Sequence, residues 1–555
     1  MRAVKLTTCL VGVGLTLGVV GCKSKEASKS VAQNKPKLGI RPYGDEAQKI
    51  DVSKEPEDLK KVFKYIDDHI DDHVESLQKM IQQPSISNSG EGIPETAEMV
   101  KGMFDRLGCQ ESKVYDMGMT EWGQPGNPVV YAHCDEGQPK TVVVYWMYDT
   151  MPVTQPDLWV APPFEGRIVD GKTAGIDPAI KKVLIGRGAT NTKGPEMTQY
   201  NAIMSMKEAL GKLPVNLIFV AEGDEERMSM GLRKFVTTHP ELFKDADAML
   251  GFGGSEGLMY VELTTSGTKW GRGPTVSDIH GIFKRSVDSP AWRHIQMLAS
   301  LTSKDGNTPM IAGFNDNIAP LTASEQKMLE NAAKKVDLKK AAENLGVARF
   351  IADDPLKMTM MSRHGTAFNM DGIWGGNMYA NGSGAILPNK ITSKHSIRYI
   401  PNMHSADILK KLRAQLDKNG YKDVDIHFVG DQPWSKMSYD TDIAHSVDQM
   451  SDHFGLPRAE HADGDSILMD AGAAGAWPGY LFTNAEQGDP NIKPLGLPIA
   501  GARVGTGGRA HAANEYMVIE GAGKTYGIAA AEKSIAEILY NFAHTTTVPT
   551  KSGRK

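Results

Sequence analysis

Apolar residues recur at steps of three and four positions near the start of the folded region and predict an amphipathic helix. The positions are Leu59, Val62, Phe63, Ile66, Ile70, Val74, Leu77 and Ile81, and Pro84 ends the run. A second helix is predicted over Pro94–Leu107, with Gly108 in the left-handed conformation that commonly closes a helix.

Unbroken apolar runs of strand length then alternate with helical stretches. The runs lie in TVVVYWMYD (141–149), KVLIGRGATNTKGPE (182–196), VNLIFVAEGDEE (215–226) and DAMLGFG (247–253). Such alternation is typical of an α/β domain with a mostly parallel sheet.

The regular alternation stops near Gly257 and returns near Ile443, with a helix at 443–454, a strand GYLFT at 479–483 and a last helix at about 520–542. Strands and helices alternate less regularly in between, which predicts an inserted α+β domain over 257–438. The first domain is then split into residues 56–256 and 439–545, followed by a tail at 546–555.

The N-terminus predicts a processing segment rather than part of the fold. Arg2 and Lys5 precede the apolar run Leu10–Val20, which is too short to span a bilayer, and LGVVGC ends on Cys22. This resembles a bacterial lipoprotein signal (1–22) in which Cys22 is lipidated; an ordinary cleaved signal or a short anchor are the alternatives. Each of these three interpretations predicts that the protein is exported. Residues 23–55 are polar and predict a tether.

Two cysteines, Cys109 and Cys134, remain for the folded part. They flank two predicted neighbouring strands, SKVYDM and NPVVYAH, and an antiparallel hairpin would bring them together. In an exported protein the sequence is therefore equally compatible with a disulfide and with two buried free thiols.

The charges are nearly balanced, with 62 Lys and Arg residues against 67 Asp and Glu residues and a net charge of -5. No overall field favours nucleic acid or an anionic membrane surface. Small-molecule chemistry is the better expectation, in a chain whose 555 residues suggest about two to four domains.

The run LIFVAEGDEERMS at 217–229 ends a buried strand in acidic residues, at the sheet edge where open α/β folds bind ligands. Glu225 and Glu226 leave the strand in different directions, so one can carry a proton while its neighbour holds a cation. A solvated acidic turn is the alternative.

Several ordered strings resemble the dizinc peptidase family of carnosinase, carboxypeptidase G, aminoacylase and succinyl-diaminopimelate desuccinylase, closest to the carnosinase-like branch. They are MYDTMPVTQPDLWVAPPFEGRI (147–168), GRGATNTKGP (186–195), AEGDEERMS (221–229), DIHG (278–281), SPAWR (289–293), FNMDGIWGG (368–376), GAILPNKITSKHSIRYIPN (384–402) and PLGLPIAGARVGTGGRAHAANEY (494–516). The resemblance covers nearly all of residues 56–542.

This resemblance implies a zinc-peptidase-type catalytic domain interrupted by a lid that also dimerises. In the family two zinc ions share a bridging Asp, and a Glu takes a proton from the attacking water. Glu225 matches that Glu, Asp149 the orienting Asp, and His280 the lid His that reaches the partner subunit. The matching substrate-side positions are Asn369, Arg398, Ser466 and Gly507.

The metal positions depart from the family pattern. Met147 replaces a ligand His, Asn191 the bridging Asp and Gly253 a later ligand Asp, so Glu226 and His511 remain of five ligands. A neutral amide cannot bridge two cations as a carboxylate does. We therefore expect at most one zinc ion per chain, held by Glu226, His511 and the Asn191 oxygen, or none.

Three functions fit this sequence. The first is an exported, lipid-anchored hydrolase of small peptides or N-acyl amino acids, acting as a homodimer with altered or lost metal dependence. The second is a non-catalytic protein that binds such molecules in the same cleft. The third is a metal-independent enzyme of different chemistry. The substrate-side residues favour the first, and the lost ligands favour the others.

Overall fold

The computed structural model describes residues 37–47, 50–456, 466–467, 475–501, 504–505 and 507–545. Helices α1 to α14 in this part are Glu57–Asp68, Ile70–Gln82, Ile93–Leu107, Gly171–Ala174, Lys193–Leu210, Met230–Thr238, Gly267–Trp270, Pro290–Ala299, Ala323–Ala333, Leu338–Leu345, Pro355–His364, Ser405–Lys418, Asp442–His453 and Ile528–His544. Strands β1 to β21 are Asp45–Glu46, Glu111–Tyr115, Val129–Cys134, Thr141–Met147, Arg167–Val169, Lys182–Ile185, Asn216–Glu222, Ala248–Leu250, Gly257–Ser266, Ile279–His280, Ala367–Phe368, Gly372–Trp374, Ile386–Leu387, Lys390–Tyr399, Asp425–Gln432, Met437–Ser438, Ser466–Ile467, Ile499–Ala500, Gly507–Gly508, Tyr516–Glu520 and Ala522–Gly523. The predicted signal segment with Cys22 and the predicted tail lie outside the described residues.

The largest sheet has six strands in the order β18-β8-β4-β7-β3-β2. Strands β18, β8, β4 and β7 are parallel to one another. Strand β3 is antiparallel to β7, and the edge strand β2 is antiparallel to β3. Helix α6 packs on one face through Leu232 and Phe235, and Phe104 of α3 stacks on Phe219 from the other. Because both faces are covered, β4 and β7 are buried along their whole length. The predicted mostly parallel α/β sheet is confirmed.

Two predicted strands differ from the structure. Strand β6, in the run KVLIGRG, belongs to a separate antiparallel sheet with the order β19-β20-β6-β5. The predicted strand at 479–483 is wrong, because Pro478–Leu481 form a 3₁₀ turn. Its apolar residues are buried, and a short buried apolar run does not by itself distinguish a strand from a turn. Pro478 at the first position favours the helical start.

Residues Cys109 and Cys134 form a disulfide. They sit at the open end of the antiparallel pair β2 and β3, in which Glu111 lies opposite His133. Of the two alternatives the disulfide is therefore present, and the hairpin geometry accounts for it.

The inserted segment contains a five-stranded sheet in the order β11-β14-β9-β15, with β12 also paired to β14. Its core includes Met259 and Val261 of β9, Met297 of α8 and Leu412 of α12. These five strands pair with one another and, within the described residues, with no strand of the six-stranded sheet. The described residues from Ile40 onward form one compact unit, so the exact domain boundaries stay a prediction.

The predicted tether at 23–55 differs from the structure over its last part. Ile40 and Ile50 are buried, and the guanidinium of Arg41 pairs with Glu520 of β20 at 2.8 Å. Strand β1 runs parallel to β21. The polar composition is misleading here because the charged side chains have fixed partners on the folded domain. No helix among the described residues is long and apolar enough to cross a membrane.

His453 joins this N-terminal segment to α14. Its Nδ1 lies 2.7 Å from Glu537 Oε2, and its Nε2 lies 3.0 Å from the Asp51 carbonyl oxygen. Both nitrogens therefore act as donors on a protonated ring, and the hydrogen bond to Glu537 raises the pKa of His453 to about 9.

Replacing this residue, as His453→Gln, should lower the free energy of unfolding by about 1–2 kcal/mol near pH 6.5. A raised histidine pKa gives stability that is present below the unfolded-state pKa and is lost as pH rises through about 9. The difference in unfolding free energy between wild type and variant, measured by urea unfolding, should accordingly decrease toward pH 10. A difference that stays constant between pH 6.5 and pH 10 would contradict the charged state of His453.

Candidate active site

A cavity of about 1560 Å³ lies between the carboxyl ends of the parallel strands and the inserted sheet. Its wall on the side of the six-stranded sheet includes Met147 at the end of β4 and Glu225 after β7, and the inserted sheet contributes Arg398 of β14 and Gln432 of β15. Carboxyl ends of parallel strands share one sheet edge, so residues distant in sequence meet there. The cavity exceeds the usual ligand pocket of about 300–1,000 Å³.

Asp149 organises the turn that carries the two glutamates. It is buried, and its carboxylate accepts the backbone N–H groups of Glu225 at 3.1 Å and Glu226 at 3.0 Å. Burial, followed by the charge of Glu226, raises the pKa of Asp149 to about 7. Asp149 is therefore a group that positions Glu225 and Glu226.

Glu225 faces the cavity at the end of β7. Burial, the charge of Glu226 and the charge of Asp149 raise its pKa well above the usual range, whereas a hydrogen bond from Gln432 and the charge of Arg398 oppose the rise. A carboxyl group whose pKa is raised in this way is suited to take up and return a proton.

Gln432 links the inserted sheet to this turn and was not predicted from the sequence. Its Nε2 donates to the hydroxyl of Ser229 at 2.9 Å, and that hydroxyl donates to the buried Glu222 at 3.0 Å. The run VDIHFVG, which predicts the strand, stops two residues before Gln432, so periodicity gave no signal for it.

Asn191, Glu226 and His511 form a closed triangle of contacts. Nδ2 of Asn191 donates to Glu226 Oε1 at 2.8 Å and lies 2.9 Å from His511 Nε2. His511 Nε2 lies 2.9 Å from the same Glu226 oxygen, and this hydrogen bond raises the pKa of His511. The three predicted metal ligands are thus together, but their polar atoms point at one another.

The loop that carries Asn191 is held by Glu515, which the sequence reasoning missed. Its buried carboxylate accepts the N–H groups of Gly188, Thr190 and Asn191 at 2.8 to 3.1 Å and pairs with Arg187 at 2.7 Å. Glu196 holds the backbone N–H of Met147 in a similar way. For Glu196, an acidic residue among buried positions of α5 was the available signal, whereas Glu515 lies in the loop before β20 and had no such signal.

The residues present do not fit a pair of zinc ions. Met147 supplies a thioether, and Gly253 supplies no side chain. A Cβ at Gly253 would lie 2.9 Å from the sulfur of Met437, and its φ of +95° disfavours an aspartate. Nitrogen and oxygen ligands lie at about 2.0–2.2 Å from a zinc ion, so even one ion at Glu226 and His511 would replace the contact between these two side chains.

Another group of potential ligands in the described part of the chain is Glu55, His453 and Glu537. It does not line the cavity, and both ring nitrogens of His453 are already bonded. This cluster is better explained as the ion pair described above than as a metal centre.

Two predicted substrate residues line the cavity but are bonded within the chain. Arg398 Nη1 lies 2.7 Å from Glu256 Oε1, and Asn369 donates to Asp371 at 3.0 Å. Gly507 also lines the cavity, and a Cβ there would lie 2.2 Å from Thr190 Oγ1, so glycine is required.

Two other predicted residues are not placed at this site. His280 is exposed, and its Nδ1 accepts the N–H of Ile282 at 3.1 Å; it is not among the residues that line the cavity. Its reach to a partner subunit stays a prediction. Ser466 lies in β17, paired with β16, and its role also stays a prediction.

The chain is similar to known dipeptidases. The Beta-Ala-His dipeptidase of Rattus norvegicus is 26% identical over 461 residues, which cover 79% of this chain and 89% of that protein. The Cys-Gly metallodipeptidase dug1 of Schizosaccharomyces pombe is 29% identical over 385 residues, covering 65% of this chain and 76% of that protein.

Solved structures agree on the fold. Human carnosine dipeptidase 1 superimposes with a TM-score of 0.71 at 22% identity, covering 88% of this chain and 100% of that one. The profile of Peptidase family M20/M25/M40 matches residues 147–476, which is more than half of the chain and includes Glu225, Glu226 and Arg398 of the cavity. The expected metallopeptidase-family hydrolase class is thereby confirmed, and the chain belongs to Peptidase family M20/M25/M40.

Proposed function

We propose that this protein is an exported hydrolase of small peptides or N-acyl amino acids that does not depend on a zinc pair and holds at most one zinc ion per chain. The observation that carries the proposal is Glu225, a carboxyl group with a raised pKa at the cavity end of a buried strand. The names of the similar dipeptidases support a small peptide as substrate.

In the proposed reaction Glu225 takes a proton from a water molecule as the water oxygen attacks the amide carbonyl carbon. The proton then passes to the leaving nitrogen when the C–N bond breaks, so Glu225 returns to the carboxylate form. Asp149 holds the Glu225 turn through two backbone hydrogen bonds.

A homodimer and a lipid anchor complete the proposal. Exposed apolar residues near His280 support a subunit interface; they are Val276, Ile282, Phe283, Trp292 and Ile295. The Cys109–Cys134 disulfide supports export to an oxidising compartment, and the sequence around Cys22 supports lipidation.

A binding protein without catalysis is the second candidate. The contact between Glu226 Oε1 and His511 Nε2 favours it, because these two atoms would otherwise hold an ion, and Asn191 Nδ2 also donates to the same carboxylate oxygen. Turnover of any dipeptide distinguishes the two candidates.

Zinc removal is the direct test of the proposed metal dependence. After dialysis the protein should contain at most about one zinc ion per chain, and a chelator should change the rate on the best dipeptide by less than about twofold, because three of five ligand positions cannot supply the expected donor. Elemental analysis and steady-state rates measure this. Two tightly held zinc ions per chain would contradict the proposal, and binding of dipeptides without turnover would favour the binding protein.

A further inference from the structure

The cavity groups that suit a terminal carboxylate are paired with acids of the same chain. Arg398 Nη1 donates to Glu256 Oε1 at 2.7 Å, and the two side chains are 35% and 13% exposed. Asn369 Nδ2 donates to Asp371 Oδ1 at 3.0 Å, and Ser396 donates to the same oxygen at 3.0 Å. Two separate carboxylates thus occupy positions that an incoming carboxylate would need.

The fold fixes the pairing of Glu256 with Arg398. Glu256 directly precedes β9, and its backbone N–H donates to the Gly475 carbonyl at 3.2 Å. The next residue but one, Leu258, lies opposite Arg398 in the antiparallel pair of β9 and β14. Adjacent strands therefore hold the carboxylate against the guanidinium.

We infer that Glu256 sets the substrate preference of this site, disfavouring a free carboxylate beside Arg398 and favouring a neutral group there. A C-terminal amide or the next residue of a longer peptide would supply such a group. The inference rests on the proposed function, which it narrows from small peptides and N-acyl amino acids in general to those without a free carboxylate at this end.

The physical reason is charge. An unpaired arginine binds a carboxylate through two parallel hydrogen bonds, but Glu256 already neutralises Arg398 and takes one of its donors. A second carboxylate would lie next to Glu256, and placing like charges side by side in an interface costs affinity.

The rest of the cavity agrees with this preference. Asp371 lines it and accepts a hydrogen bond from Ser396, two residues from Arg398 on β14, so a second carboxylate of the chain lies on this part of the wall. The volume of about 1560 Å³ also leaves room for more than a dipeptide.

The test compares Beta-Ala-His with its C-terminal amide by isothermal titration calorimetry. The full chain is used with Glu225→Gln so that neither peptide is hydrolysed. Glu256→Gln keeps the shape of the side chain and removes its charge. Glu262→Gln is the matched control, because Glu262 lines the cavity and lies opposite Lys394 rather than Arg398.

We expect the protein with native Glu256 to bind the amide at least as tightly as the free acid. Glu256→Gln should tighten binding of the free acid by about tenfold or more, which is the size of one lost charge contact, and change binding of the amide by less than about threefold. Adding Arg398→Gln should cancel the gain, and Glu262→Gln should leave the ratio of the two affinities unchanged. Circular dichroism verifies that each variant is folded.

An affinity ratio that Glu256→Gln does not change, or one that Glu262→Gln changes equally, would overturn the inference while leaving the proposed function intact. A tenfold higher affinity for the free acid than for the amide in the protein with native Glu256 would overturn it as well. If neither peptide binds any variant, both this inference and the proposed function fail.

Discussion

Glu225→Gln should reduce kcat on the best dipeptide by at least about 10²-fold, because removal of a general base commonly costs about 10²–10⁴ in rate. The substitution removes the carboxylate that accepts the proton but keeps the size of the side chain. Asp149 bonds to the backbone N–H of residue 225 and not to its side chain, so the turn should persist. KM should change little, which steady-state kinetics will show.

The matched control for this prediction is Glu262→Gln, which removes a carboxylate of the same cavity that lies on β9 and not on the turn after β7. It should reduce kcat by less than about threefold, if proton transfer belongs to Glu225. Full activity in Glu225→Gln would show that the family's proton carrier is not used here. Equal losses in both variants would indicate a general effect of cavity charge.

The sequence was sufficient to predict which residues meet at the sheet edge. Asp149 and Glu225 each follow an unbroken apolar run, and such runs predict parallel strands whose carboxyl ends share one edge. His511 could be added only through the family resemblance, because it lies in a loop more than 280 residues further on. Its position beside Glu226 depends on the separate sheet of β6 and β20.

The paired state of the substrate residues could not be predicted. Arg398 matches a family position, but its partner Glu256 is 142 residues away in sequence, and no period or motif joins them. The same holds for Arg41 and Glu520, which are 479 residues apart. Local sequence patterns predict which helices and strands form. Such ion pairs depend instead on the register of strands that are distant in sequence and meet only in the folded chain.

Removing the disulfide, as Cys109→Ala with Cys134→Ala, should lower the free energy of unfolding by about 3 kcal/mol. The bond joins residues 25 apart in sequence, and closing a loop of that length restricts the unfolded chain by about 3–4 kcal/mol in the chain-entropy account. The folded hairpin should change little, because β2 and β3 keep their five-residue antiparallel pairing. Urea unfolding of the two proteins under oxidising conditions measures the difference.

A reducing agent provides the control for the disulfide, since it should destabilise the wild-type protein and leave the double variant unchanged. The dependence of unfolding free energy on urea should also become steeper in the variant, because an unfolded chain without the bond is less compact and exposes more surface. Equal unfolding midpoints for the oxidised wild type and the double variant would contradict the prediction. A midpoint that falls without any change in slope would instead locate the stabilisation in the folded hairpin, where Cys134 is completely buried at the end of β3.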